Sequence, residues 1–151
     1  MEDDYSAMMS AARTVTGTGE SDEAGTSWSL VLPARSAAAP EARRAARRFV
    51  RRLAPRVVDR VAQDIDLVVT ELVTNAVRHA RGATCTLILD ARPDAVEVTV
   101  VDEDPTPPRP HAPDFSGCLG GFGWPMVRRL ARQVTVALIP DGKAVCALVP
   151  R

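Results

Sequence analysis

The chain has 151 residues, 46% hydrophobic and 25% charged, and its 19 basic and 19 acidic residues cancel to a net charge of zero. That length supports one domain with its own core, and the balanced charge argues against a general nucleic-acid binder. No apolar run approaches the roughly 20 residues of a membrane span, and the acidic N-terminus lacks the basic and then apolar order of a secretory signal, so a cytoplasmic protein is expected.

Residues 1–27 hold Glu2, Asp3, Asp4, Glu20, Asp22 and Glu23 against Arg13 alone. They show neither a strand nor a helix period and read as a disordered acidic tail. Residues 28–151 are expected to form the domain. SWSLVLP alternates weakly and ends at Pro33, which suits a first strand at a sheet edge. Pro40 suits a helix start. From Glu41 to Leu53 the arginines at 43, 44, 47, 48, 51 and 52 fill one half of a helical circumference, and Ala42, Ala45, Ala46, Phe49, Val50 and Leu53 fill the other. Pro55 ends that helix. Its basic face suits either solvent or the acidic surface of a partner protein. With no aromatic residues between the arginines, nucleic acid is the weakest reading.

A second helix is expected from about Val57 to Ala80, with Gly82 as its stop. Val61, Ile65, Val69, Leu72, Val73, Ala76, Val77 and Ala80 form a broad apolar arc. Glu71, Asn75 and His79 fall one turn apart along one edge of it. Two readings stand side by side. One takes them as ordinary boundary polars, the other as the wall of a cleft in which a carboxylate and an amide oxygen, both hard ligands, suit magnesium better than zinc or iron.

TCTLILDA and AVEVTVVD follow as two strands joined through Arg92-Pro93-Asp94. Residues 103–119 hold five prolines and no period, the mark of a long and often functional loop. GGFGWPMVRRLA opens with glycines and continues as a short helix, with Phe122 and Trp124 read as packing residues. QVTVALI and KAVCALVP close the chain as a hairpin turning at Asp141-Gly142. Cys85, Cys118 and Cys146 are odd in number and lack C-x-x-C spacing, so reduced thiols are expected. The order β-α-α-β-β-loop-α-β-β predicts an α+β two-layer sandwich, a mixed sheet with helices on one face.

The stretch ELVTNAVRHA, residues 71–80, closely resembles the Asn-box of the GHKL superfamily, which includes gyrase-type ATPases, heat-shock chaperone ATPases, histidine kinases and mismatch-repair ATPases. Its form E-x-x-T-N-A-x-x-H is most similar to the bacterial anti-sigma-factor serine/threonine kinases and the related actinobacterial ATP-binding regulators. The likeness extends over roughly Trp28 to Arg151 and implies the Bergerat type of two-layer sandwich. It implies that Asn75 binds the Mg2+ bridging the phosphates of ATP and that Glu71 is the general base. Thr74 and His79 would support the pocket. Asp102 would accept a hydrogen bond from the adenine amino group. Gly121 and Gly123, in GGFGW, would meet phosphate at a helix N-terminus, and 103–119 would be the nucleotide lid. Arg109 and His111 within it could supply positive charge or simply be solvated. The implied activity is phosphorylation of a small antagonist protein, with a sigma factor as a further partner. No direct contact with nucleic acid or membrane is implied, and a homodimer stays open.

Three positions depart from the family pattern. Asp104 stands where a glycine normally lets the backbone approach the base. Pro125 has no N–H to offer phosphate. Ala144 stands where the family often has a threonine beside adenine. They motivate a second reading, a non-catalytic partner-binding regulator on the same fold.

Overall fold

The computed structural model describes residues 26–108 and 123–151. Residues 1–25 of the expected tail, most of the expected lid with Arg109 and His111, and Cys118, Gly121 and Phe122 lie outside the described residues, while Ser27, expected to close the tail, already belongs to the first strand. The elements are β1 (Ser27–Pro33), α1 (Ala38–Arg52), α2 (Asp59–Arg78), β2 (Thr84–Ala91), β3 (Ala95–Asp102), α3 (Gly123–Leu130), β4 (Gln133–Ile139) and β5 (Gly142–Pro150). Their order is the expected one. α2 stops two residues sooner than its apolar pattern suggests, with His79 at the C-cap, and Gly82 does not take a positive φ.

The five strands form one sheet in the order β1-β2-β3-β5-β4. Every pairing is antiparallel, which corrects the expectation of a mixed sheet. β3 and β4 run in the same direction, but they never touch. β5 returns through the two-residue turn Pro140-Asp141 and inserts between them. β1 is an edge strand, and its terminal Pro33 sits where a missing N–H costs least.

The helices cover one face of the sheet. That face is built from Trp28, Leu30 and Leu32 of β1, Leu89, Leu87 and Cys85 of β2, Val98 and Val100 of β3, and Ala147 and Val145 of β5. α2 lays Ile65, Val68, Val69, Leu72, Val73 and Ala76 onto it, and all of these are buried. α1 adds Ala38, Ala42, Ala45, Ala46, Phe49 and Val50. Pro40 lies in the first turn of α1, where the N–H groups have no intrahelical acceptor anyway.

The arginine half of α1 points outward as its periodicity predicts, and part of it is used. Arg47 Nη2 lies 2.7 Å from Asp66 Oδ2 on α2, and Arg43 Nε lies 3.4 Å from the same oxygen. The guanidinium of Arg52 stands over the Trp28 ring, 5.6 Å from its centroid. Arg44, Arg48 and Arg51 have no carboxylate partner among the described residues. No described helix is long and apolar enough to cross a membrane.

Phe49 is 2% exposed and joins α1 to the shared core. Phe49→Ala should lower stability by about 3–5 kcal/mol. Urea denaturation checks this, with a lower midpoint at an unchanged slope as the expected result.

Candidate functional site

Glu71, Thr74 and Asn75 are half-buried on the edge of α2, beside the fully buried Leu72, Val73 and Ala76. Their neighbour is the start of α3. A Cβ added to Gly123 would collide with the Glu71 carboxylate, so the glutamate rests directly on the glycine backbone. A side chain at this position would have to push the Glu71 carboxylate aside. Gly123 is the first described residue of α3 (Gly123–Leu130). Pro125 is the third residue of α3. Trp124 packs against the core, as expected. His79 is set apart from Glu71 and Asn75. It is exposed at the C-cap of α2, and its backbone N–H donates to the Asn75 carbonyl at 3.2 Å.

Asp102 ends β3 on the helix-facing side of the sheet, in a cross-strand row with Cys85 of β2 and Lys143 of β5. The Lys143 ammonium donates to Asp102 Oδ1 at 2.9 Å and to the Asp104 carbonyl oxygen at 2.8 Å. Asp102 Oδ1 also accepts the Asp104 N–H at 2.8 Å. The two side chains are only 1% and 4% exposed. Asp104 is buried and bound within this turn. Its Oδ1 accepts the Thr106 N–H at 3.1 Å and lies 3.4 Å from Arg81 Nε, just past α2. The Thr106 N–H, and then the positive charges of Lys143 and Arg81, hold the Asp104 carboxyl below the usual carboxylate range. Arg81 therefore ties the end of β3 to the end of α2, while Glu71 ties the start of α3 to the middle of α2. The connection between β3 and α3 is anchored to one helix at both ends.

Two sequence expectations change here. Asp104 is not a bare carboxylate thrust at a ligand, because its side chain is spent on the turn that shapes the loop. Ala144 does not stand beside Asp102. It pairs with Val101 and Ala137, on the face of the sheet turned away from the helices. The β5 residue at Asp102 is Lys143, which the motif comparison passed over. Strand alternation could have found it: Lys143, Val145, Ala147 and Val149 share one parity, and three of the four are apolar core residues.

Gly142 makes this approach feasible. A Cβ there would fall on the Asp102 carbonyl oxygen, so β5 can begin against the end of β3 only with glycine at its first position. Burial, and then the nearby Asp102 charge, push the Cys85 thiol up to about 11. Burial first, with the Glu97 charge second, pushes Cys146 up to about 11. Both remain protonated at neutral pH, as reduced, unreactive cysteines do.

A family model described as a histidine kinase-like ATPase domain matches residues 32–148. No curated protein matches the chain.

Asp102→Ala would leave the Lys143 ammonium buried without its charge partner and should cost about 3–5 kcal/mol, measured by urea denaturation. Iodoacetamide at pH 7.5 should leave Cys85 unlabelled in the folded protein and modify it rapidly in urea, as followed by peptide mass spectrometry.

Proposed function

The chain belongs to the histidine kinase-like ATPase domain family, and on that premise we propose that it is an ATP-binding regulator that works as an anti-sigma-type serine/threonine kinase. Its substrate would be a serine on a small antagonist protein, and a sigma factor would be a second partner. The observation that carries this reading is the contact between the Glu71 carboxylate and Gly123, which joins the Asn-box helix to the start of the glycine-rich helix.

The residues present fit the nucleotide and its metal. Among the described residues no cluster of three or more His, Cys, Asp or Glu side chains could cage a metal. Magnesium in phosphoryl-transfer sites takes most of its ligands from phosphate and water, with one or two from protein. The half-buried Asn75, one turn from Glu71, would supply its amide oxygen. The metal, when bound, would neutralise phosphate charge during transfer. Glu71 would accept the proton of the acceptor serine hydroxyl. Gly121 and Gly123 would let backbone N–H groups approach phosphate. Asp102 would orient the base, and Thr74 and His79 would support the pocket around Asn75. Pro125 is compatible with this, because α3 runs through it as a helix.

A second reading is favoured by the saturation of Asp102 Oδ1 by Lys143 and the Asp104 N–H. A carboxylate with one oxygen already taken by the protein suits a non-catalytic regulator that holds partners by surface contacts. The unpaired arginines of α1 would suit an acidic protein surface in either case.

Calorimetric titration with ATP, with and without magnesium, separates the two. The kinase reading expects magnesium-dependent binding that disappears in Asn75→Ala. It also expects Glu71→Gln to retain ATP while losing about 10²–10⁴-fold in phosphate transfer. No binding at millimolar ATP would sink that reading and leave the partner-binding regulator.

A further inference from the structure

The charge that cancels over the whole chain is split by position. Six acidic residues against Arg13 give residues 1–25 a net charge of −5, and the neutral total leaves the rest of the chain at +5. Among the described elements that positive charge is most concentrated on α1, whose arginines fall into two sets. Arg43 and Arg47 turn toward α2 and converge on Asp66. Arg44, Arg48 and Arg52 lie four residues apart and form one stripe, turned about 100° from the first set and away from α2. All three are exposed. Arg52, at one end of the stripe, stands over the Trp28 ring of the edge strand β1, 5.6 Å from its centroid. Arg44 and Arg48 have no carboxylate partner among the described residues.

Trp28 also marks where the N-terminal segment joins the domain. β1 begins at Ser27, and the Thr26 carbonyl accepts the Ala91 N–H at 2.6 Å, which fixes the chain to the sheet at that point. Residues 1–25 are therefore tethered at the Arg52 end of the stripe. Glu23, Asp22 and Glu20 lie three to six residues before Thr26. An extended chain spans roughly 3.5 Å per residue, so these acids reach about 10–20 Å from the anchor. The stripe from Arg52 back to Arg44 rises about 12 Å along the helix.

We propose that residues 20–23 of this chain dock on the Arg44–Arg48–Arg52 flank of α1 and so compete, within one molecule, with any acidic partner surface for that flank. This goes beyond the nucleotide site and holds for either reading of that site.

The tether decides between the chain's own acids and those of another protein. Exposed ion pairs are individually weak, because water and salt screen them and long side chains lose freedom on pairing. A few such pairs hold a free acidic peptide poorly. On so short a tether the same acids face the arginines at an effective concentration on the order of millimolar, and no second molecule loses its translational freedom. The partners also match in number: Glu20, Asp22 and Glu23 against Arg44, Arg48 and Arg52. A guanidinium over a ring face keeps its N–H edge for a carboxylate, so Arg52 can serve Trp28 and an acid together.

The competing role is that of a solvated face, with Arg51 and Arg52 set against the negative end of the α1 dipole and nothing docked on the stripe. Two measurements on the full chain separate the two. The first is NMR of the arginine Nε–H signals in the wild type and in Glu20→Gln/Asp22→Asn/Glu23→Gln. The signals of Arg44, Arg48 and Arg52 should move in this variant, while those of Arg43 and Arg47 stay. Sodium chloride at about 0.5 M should carry the wild-type stripe signals toward the variant's positions, because salt screens exposed charges. Stripe signals that coincide in wild type and variant overturn the proposal. Movement seen only when Glu2, Asp3 and Asp4 are neutralised instead overturns the assignment to residues 20–23.

The second measurement is calorimetry at low salt with a deca-glutamate peptide as the acidic probe. The variant lacking the three acids should bind it at least about threefold more tightly than the wild type, because the tethered competitor is gone. Adding Arg44→Gln/Arg48→Gln should remove that gain. Equal affinity, or binding to neither protein, overturns the competition. A gain that survives the arginine substitutions is an effect of net charge alone and overturns it too.

Discussion

The burial of one face of α2 on β3 and β5 is the contact on which the rest depends. Val68, Val69 and Val73 of the helix are fully buried, as are Val96 and Val98 of the sheet beneath. Each aliphatic side chain removed from water in this way contributes about 1.5–3 kcal/mol. The same contact sets the helix rotation, because residues three and four apart share a face. Once Leu72, Val73 and Ala76 are committed to the core, Glu71 and Asn75 have only the margin left to them, and they stay half-buried there. The site is therefore a consequence of packing. A helix that turned to bury Glu71 would have to expose valines.

At the open end of the sheet the physics differs. There the core row stops being apolar and becomes Cys85, Asp102 and Lys143. Removing two charges from water is expensive, and the loss is offset only where geometry and further hydrogen bonds are good. Here both conditions hold: the ion pair is at 2.9 Å, and the Asp104 backbone supplies a donor to Asp102 and an acceptor to Lys143. Such a pair adds little stability over an apolar replacement, but it is costly to break on one side only. It fixes the conformation of the turn that leaves β3. Gly142 shares in this, since only a residue without a side chain lets β5 start against the Asp102 carbonyl.

α1 is bound to this assembly by two kinds of contact. Its alanines and Phe49 enter the core, while Arg43 and Arg47 converge on Asp66 of α2. Those pairs are partly exposed and contribute modestly. Asp66 Oδ1 is buried with no hydrogen-bond partner among the described residues, so the clamp engages only one of the two carboxylate oxygens. The remaining arginines of α1 keep an exposed basic surface on the side of the helix away from the sheet.

Much of this was legible in the sequence because it rests on short-range periodicity. The strands at 84–91 and 95–102, the two long helices and the closing hairpin follow from patterns of two and 3.6, from Pro55 and from the turn residues. The Asn-box spacing made Glu71 and Asn75 candidates because i and i+4 share a helix face whatever the fold. Pairing between distant strands was not legible. Local pattern cannot reveal that β5 inserts between β3 and β4, and so the sheet was expected to be mixed when it is antiparallel throughout. The same gap led from Lys143 to Ala144: which β5 residue meets Asp102 is a matter of register, and a shift of one residue moves a side chain to the opposite face. What the sequence determined by itself was the set of elements and the residues on each face, since those depend on backbone geometry within one segment. Which faces meet, and that a lysine closes on the carboxylate of Asp102, the tertiary structure alone decided, because those contacts join residues 41 positions apart.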